Sequence, residues 1–436
     1  MIPQERFHFN KNIQFNFNGG DLTSDAGLLL VYEFIHQIGF KQLLDQHFIL
    51  ENDTAIRTHT NIDLCLQQIL QFIAGYPCAD HADELTTEPL LTKLLSKSTL
   101  ASQPTLSRFA HRLTDTTIQQ FRLINQQLLE HYYRIEAPDH FIFDIDSTHF
   151  QTYGEQMGQA FNGHYSEIGY HPILVFDGMT GDCLKVELRP GNVYTSKDAA
   201  QFLEPILSHY HQEFEGRYRI VRGDSGFASP EIYELCEAHQ TKFIIRLKEN
   251  SALVKLAQPY ASTILKEESV QNFEQVTGEF MYQANSWSRP RRVIVQVTKP
   301  AGQMIPSYLF LVTNMETEHH DYLIRFYGKR GTMENFIKEC KSGFRMDKVS
   351  HKTFEANENR VQQVMLAYNL INGFRRLTLP KGFRQLMIET LRLKLLKVAA
   401  RCVKKSRRFI FKLCGSFPYK EIFYQCLQTI QSIQLE

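Results

Sequence analysis

Tyr327, Arg330, Glu334 and Lys341 fall within one stretch, YGKRGTMENFIKECK, at the spacing Y-x2-R-x3-E-x6-K. A helix brings residues three and four apart onto one face, so Tyr327, Arg330, Glu334, Lys338 and Lys341 are expected to form a single stripe. One carboxylate lined up with a phenol and three cations suits an acid that holds a metal while the cations grip phosphates. The same spacing arises in an exposed helix laced with Glu–Lys pairs. What lies upstream separates the two readings.

Two more acid positions stand where strands should end. Asp144 and Asp146 lie two apart in HFIFDIDST, a short β-rich run, so both point to one face of the strand. Asp224 follows the apolar run YRIVRG, in G-D-S-G, where Gly223 and Gly226 let the backbone turn closely. Ligands of open α/β sheets gather beyond the carboxyl ends of the strands. Taken singly, each acid is also a turn or cap former. Brought together, the carboxylates would repel and their pKa values rise unless a cation neutralised them. An oxygen-only ligand set suits Mg2+ or Mn2+. Two such ions about 3.5–4 Å apart activate a water or a 3′-hydroxyl and stabilise the leaving oxygen of a phosphodiester.

The elements that must position these groups follow from periodicity. Residues 6–18 alternate and predict a short strand pair. From there to residue 137 helical patterns dominate, as in NIDLCLQQILQFIAGY and TTIQQFRLINQQLLEHYYRI, giving a mostly helical N-terminal domain. QPTLSRFAHRL within it has the form of a helix in a small DNA-reading unit, and equally of a packing helix. Residues 138–248 read as three strands, a helix, a strand, a helix and a strand. That order predicts an α/β, overall α+β, ribonuclease-H-like mixed sheet with flanking helices. Residues 249–305 read as a β-rich insertion, 306–372 as the second part of the catalytic domain with the Glu334 helix, and 373–436 as a basic helical region.

The charge of the 436-residue chain, +1 overall, is unevenly spread. Residues 375–412 carry thirteen Lys and Arg against Glu389 alone, whereas residues 1–137 carry ten against fifteen Asp and Glu. Such a local excess points to a polyanionic partner. The eight cysteines are scattered, with no C-x-x-C and no zinc spacing, as in a reducing cytoplasm. No run approaches a membrane span and the N-terminus lacks an apolar signal core, so a cytoplasmic protein is expected. The seventeen histidines form no H-E-x-x-H, and there is no G-K-S/T phosphate loop, which argues against a zinc hydrolase and an ATPase.

IDST (145–148), RGDSGF (222–227) and the Tyr327–Lys341 stretch resemble the three signature regions of bacterial insertion-sequence transposases of the Asp-Asp-Glu type. The match is to the Tyr-Arg-Glu-Lys branch, which carries a β-rich insertion between the second Asp and the Glu. The resemblance covers most of the chain, including GGDLTSDAGLLLV, GYHPILVFDGMTGDCL and FIIRLKEN. It implies a metal-binding catalytic triad of Asp146, Asp224 and Glu334. Asp146 is favoured over the runner-up Asp144 because Ser147-Thr148 follow it, as a small or hydroxyl residue and Thr do in the family. It further implies phosphate contacts by Tyr327, Arg330 and Lys341, with Lys338 added as a DNA contact from the same stripe, and Mg2+ (Mn2+ substituting), two ions per site. Such enzymes bind terminal inverted repeats, cleave there and join 3′ ends to target DNA as a synaptic homodimer, some through a DNA hairpin. In that branch an insertion Trp stacks on a flipped base. Trp287, beside Arg291 and Arg292, would do so here, with core packing the alternative. The basic region would add backbone contacts through Arg401, Lys404 and Lys405. A ribonuclease-H-like nuclease without strand transfer and an inactive DNA-binding remnant are the competing functions.

Overall fold

A computed structural model describes residues 7–50 other than 8 and 11, 57–265, 271–303 and 305–435. The chain divides into two compact units, one of residues 1–135, 343–345 and 366–436, the other of 136–342 and 346–365.

An eight-stranded sheet organises the second unit. In spatial order its strands are Glu274–Tyr282, Arg291–Lys299, Ser307–Thr313, Lys242–Leu247, Tyr218–Gly223, His140–Ser147, Ile173–Asp177 and Cys183–Glu187. His140–Ser147 is interior because apolar side chains occupy both of its faces. It pairs in parallel with Tyr218–Gly223 and antiparallel with Ile173–Asp177. Helices Ala199–Glu213 and Pro230–Ala238 make the crossovers to the parallel strands. Three mutually antiparallel strands, with two strands parallel to His140–Ser147 beside them, form the ribonuclease-H-like arrangement that the sequence predicts.

Each sheet face recruits a helix. Phe141 and Phe143 meet Tyr210 of Ala199–Glu213 edge-on, with ring centroids 4.7 and 5.2 Å apart. On the other face Ile142, Ile220, Ile244, Ile294 and Leu311 pack with Leu323 and Phe326 of helix His320–Gly328. Tyr327 leans on that same cluster. Hydrophobic burial therefore aligns the helix that opens the Tyr-Arg-Glu-Lys stretch.

Three expectations are corrected. The 249–305 stretch, expected as a β-rich insertion, opens with helix Ser251–Ile264, and its two strands extend the main sheet. Val293, Ile294, Val295 and Val297 are all buried, which makes Arg291–Lys299 an interior strand. Residues 266–270 and 304 lie outside the described residues. Residues 327–341 do not form one continuous helix. It breaks into His320–Gly328, a 3-10 turn Lys329–Gly331, helix Thr332–Lys338 and a π turn Glu339–Gly343. Gly328 and Gly331 sit at the break, where each weakens a helix by roughly 1 kcal/mol relative to Ala. The broken axis buries Met333 and Ile337 and leaves Glu334 and Lys338 exposed.

The third correction is in the first unit. Helices Leu28–Gln37, Asn61–Ala74, Gln103–Ala110 and Asp115–Ile135 follow the predicted periodicity, and Thr60 with Asp63 closes a capping box. The basic C-terminal region is not all helical. Ala400–Lys405 and Arg408–Leu413 form an antiparallel hairpin, with Leu22–Thr23 as a third strand. Alternation in CVKKSRRFIFK overrides the helical reading, since one sheet face can then bury Phe411 and Leu413 against Ala26, Val398 and Ala400. The strand pair expected over 6–18 falls partly outside the described residues. No helix among the described residues is long and apolar enough to cross a membrane.

Candidate active site at the strand ends

Parallel register sets the first two acids side by side. Asp144 lies opposite Arg222 and Ile145 opposite Gly223, so Asp146 and Asp224 are each one residue beyond the last pair between these two strands, Asp146 still pairing with Leu174 on its other side. Asp224 caps the following 3-10 turn, its Oδ1 accepting the Gly226 N–H at 2.8 Å. A Cβ at Gly226 would stand 2.8 Å from Thr195 Cγ2, so the turn needs glycine there.

Asp144 is fully buried, and both its oxygens accept from Arg222, Nε and Nη2, at 2.6 Å. Arg222 Nη1 also donates to the Phe326 carbonyl at 2.8 Å, tying sheet to helix. A Cβ on Gly178 would lie 2.6 Å from Asp144 Oδ2, so the pocket around this pair is closed. The runner-up acid is thereby committed to an internal ion pair.

Asp146 sits differently. Its Oδ2 is 2.9 Å from Arg330 Nη2 and its Oδ1 accepts the Ser147 N–H at 2.8 Å. Burial pushes its carboxyl up to about 6, Arg330 opposing and the charge of Asp224 adding. The fields of Asp146 and Asp224 also both reach the Tyr327 and Tyr165 hydroxyls, whose pKa values are raised chiefly by burial.

The other members of the stretch brace the strand ends. Tyr327 donates to the Gly223 carbonyl at 3.3 Å, Arg330 to the Ile145 carbonyl at 3.3 Å, and Lys341 to the His149 carbonyl at 2.8 Å. Buried Arg330 Nε has no hydrogen-bond partner among the described residues. Glu334, four residues beyond Arg330, is exposed, and its carboxylate is not closed onto the two aspartates. The one acid or imidazole trio whose ligand atoms all lie within 4.8 Å among the described residues is His319, His320 and Asp321. That trio caps the far end of helix His320–Gly328, and its groups are engaged by one another, Thr277 and Glu279.

The residues singled out in 249–305 are packed against side chains of their own unit. Trp287 is 7% exposed, its ring flanked by Tyr233 and Tyr282 with centroids 5.4 Å away, and the Arg291 guanidinium 5.7 Å from it. Arg291 is buried and binds both oxygens of Glu237, at 3.0 and 3.1 Å. Arg292 pairs with Glu279 and donates to the Met315 and Glu318 carbonyls. Trp287 is thus a packed side chain in an aromatic cage, because the two strands that hold it belong to the main sheet.

Sequence reasoning also missed three residues. Arg222 stands two before Asp224, and its buried strand position opposite an acid was the available signal. Tyr165 and His149 are stacked, with centroids 5.0 Å apart, in segments bordering the small sheet of Phe150–Gln151, Ala160–Asn162 and Glu167–Tyr170. No local pattern marks them.

No curated protein matches this chain. Among solved structures it is similar to a piggyBac transposase synaptic complex with hairpin DNA, at 12% identity and a TM-score of 0.42, over 86% of this chain and 80% of that one. It is also similar to the catalytic domain of Mos1 mariner transposase, at 13% identity and a TM-score of 0.19, over 35% and 72% of the two chains. A Mos1 transposase paired-end complex with left transposon end is similar at 16% identity and a TM-score of 0.17, over 49% and 66%. The family model described as transposase DDE domain group 1 matches residues 5–435, and the chain belongs to this family of DDE transposases.

Proposed function

We propose that this chain is the transposase of a bacterial insertion sequence, of the Tyr-Arg-Glu-Lys branch, acting in the cytoplasm on chromosomal DNA. It binds terminal inverted repeats as a homodimer, cleaves the phosphodiester at the element's ends and joins the freed 3′ ends to target DNA. The observation that carries this reading is the juxtaposition of Asp146 and Asp224 at the ends of adjacent parallel strands, within one another's field.

The donor set fits a hard divalent ion. All its ligand atoms are oxygen, and two like charges share a partly buried site that a single guanidinium offsets. Asp146 and Asp224 would hold Mg2+ or Mn2+, with exposed Glu334 supplying the third carboxylate. When bound, two such ions activate the attacking oxygen and stabilise the leaving one. Arg330 neutralises Asp146 meanwhile, and its unpartnered Nε offers a donor to a phosphate oxygen. Tyr327 and Lys341 hold the two strand ends in register, so the carboxylates stay in place when a charged backbone enters. Lys338, exposed one turn beyond Glu334, adds a cation for that backbone.

The test is incubation of the purified protein with its flanking DNA ends and Mg2+ or Mn2+, mapping cut phosphates and joined products. Cleavage at the element's ends followed by 3′-end joining, lost in Asp224→Asn and Glu334→Gln, is the expected result. Cleavage without joining makes the protein a nuclease of the same fold. Normal cleavage by both variants would overturn the assignment of the acids.

A further inference from the structure

Of the thirteen cations in 375–412, several are engaged inside the first unit. Arg375 donates to the Leu386 carbonyl, Arg384 to the Leu379 carbonyl, Arg392 to the Ile73, Phe72 and Gly343 carbonyls, and Lys397 pairs with Asp25. What remains outside is concentrated on the hairpin Ala400–Lys405 and Arg408–Leu413, which carries no acid.

Register sorts these residues between two faces. Ala400, Phe411 and Leu413 belong to the inner face, packed with Ala26, Val398 and Phe417. Alternation then puts Arg401 with Lys412, Val403 with Ile410, and Lys405 with Arg408 on the outer face as three cross-strand rows. All four cations are exposed, and Ile410 is 41% exposed. Lys404 belongs to the inner face, its ammonium 6.0 Å from the centroid of the Phe409 ring. The outer face of the hairpin is thus an apolar pair with a row of two cations on either side, and exposed Leu22 of the third strand, opposite Arg401, extends the first row.

The spacing is informative. Rows four residues apart on a strand are separated by about 13 Å, close to the roughly 12 Å width of the major groove of B-DNA, which admits a two-stranded ribbon. The turn adds a second observation. Ser406 and Arg407 both have positive φ, 47° and 66°, in a two-residue hairpin turn that Asn-Gly would make with less strain. The strained turn keeps a cation at the tip instead.

Resting on the reading of the chain as a DNA-handling enzyme, we infer that this outer face is a duplex-binding ribbon that enters the major groove. Arg401 with Lys412, and Lys405 with Arg408, contact phosphates on the two sides of the groove. Val403 and Ile410 lie between them, against thymine methyl groups.

The experiment follows the affinity of the full-length protein for a labelled duplex by fluorescence anisotropy across a series of KCl concentrations. Replacing Arg401, Lys405, Arg408 and Lys412 together by Gln should lower the slope of log affinity against log salt by about 3 to 4, at about 0.9 for each phosphate that is no longer neutralised. Lys404→Gln should change the slope by less than about 1. Exchanging thymine for uracil, which removes only a major-groove methyl, should weaken binding several-fold in the natural chain and not in the Val403→Ser, Ile410→Ser pair. Circular dichroism and thermal unfolding check the fold. Should the fourfold variant not fold, Lys405→Gln with Arg408→Gln should still lower the slope by about 2. An unchanged slope in a folded variant overturns the ribbon, as does displacement by netropsin, a minor-groove ligand, together with indifference to uracil. Metal-dependent cleavage is scored separately: a natural chain that binds with this salt response yet cleaves nothing refutes the enzymatic reading and leaves the ribbon standing.

Discussion

Asp144 and Asp146 stand two residues apart on one strand, point to one face, and each meets an arginine, yet they are different chemical objects. Asp144 is sealed inside, with both oxygens bound by Arg222 from the neighbouring strand, and Gly178 leaves no room beside it. Asp146 lies just past the last residue paired with the neighbouring parallel strand, shares its site with Asp224, and is offset at a single oxygen by Arg330. A buried ion pair whose geometry is saturated serves the fold. A carboxylate at a strand end, held up in pKa beside a like charge, is open to a cation. On the proposed reading, one step of the pleat separates an acid that serves the fold from one that would hold a metal ion.

The largest expected effect separates the two by activity. Asp146→Asn and Asp224→Asn should each lower metal-dependent DNA cleavage by at least about 10³-fold, since the ions supply several kcal/mol of transition-state stabilisation. Neither change should lower the urea unfolding midpoint, because each removes one of two repelling charges. Asp144→Asn should do the reverse in stability. Stripping the charge from a buried pair leaves Arg222 uncompensated, at a cost of about 3–5 kcal/mol in urea unfolding. If Asp144→Asn is as stable as the natural chain, or Asp146→Asn cleaves normally, the contrast fails.

A similar contrast bears on how far the sequence could be read. The order of the main-sheet strands and helices in 138–248 and the helical character of the N-terminal region follow from local periodicity, whereas the small sheet over 150–170 does not, and Asp146 is preferred to Asp144 only through the family resemblance. Arginine roles do not follow from periodicity either, because whether a cation meets water or an acid is decided by residues far away in the chain. Arg291 and Arg292 read as contacts for a polyanion, and the fold engages them with Glu237 and Glu279. Trp287 reads either as a base-stacking ring or as a core ring, and the fold packs it between Tyr233 and Tyr282. The helix break at Gly328 and Gly331 was visible in composition, but its result, an outward Glu334, depends on which face Met333 and Ile337 bury. Trp287→Ala should accordingly cost about 3 kcal/mol of unfolding free energy with an unaltered fraction of bound ends cleaved by the folded protein. Impaired cleavage at unchanged stability would return Trp287 to the DNA.

The smallest effect tests what raises the Asp146 carboxyl. Its folded value of about 6 lies above the ordinary 3.8, so between those values the folded protein binds a proton that the unfolded chain does not. Without metal, this group's contribution to stability therefore falls as pH rises from about 4 to 6 and then levels off. Metal binding needs the ionised carboxylate and runs the other way, its affinity rising about tenfold per pH unit up to 6 and flattening above. The gap between melting temperatures with and without Mg2+ should open as pH climbs from 5 to 7 and stay constant at 8. Asp146→Asn should abolish that opening, whereas Asp177, another buried carboxyl near 6, titrates identically in both proteins and cancels. A gap of equal size at pH 5 and pH 8 would mean that Asp146 is already ionised at the lower pH. The burial that sets it apart from an ordinary surface acid would then not govern its chemistry.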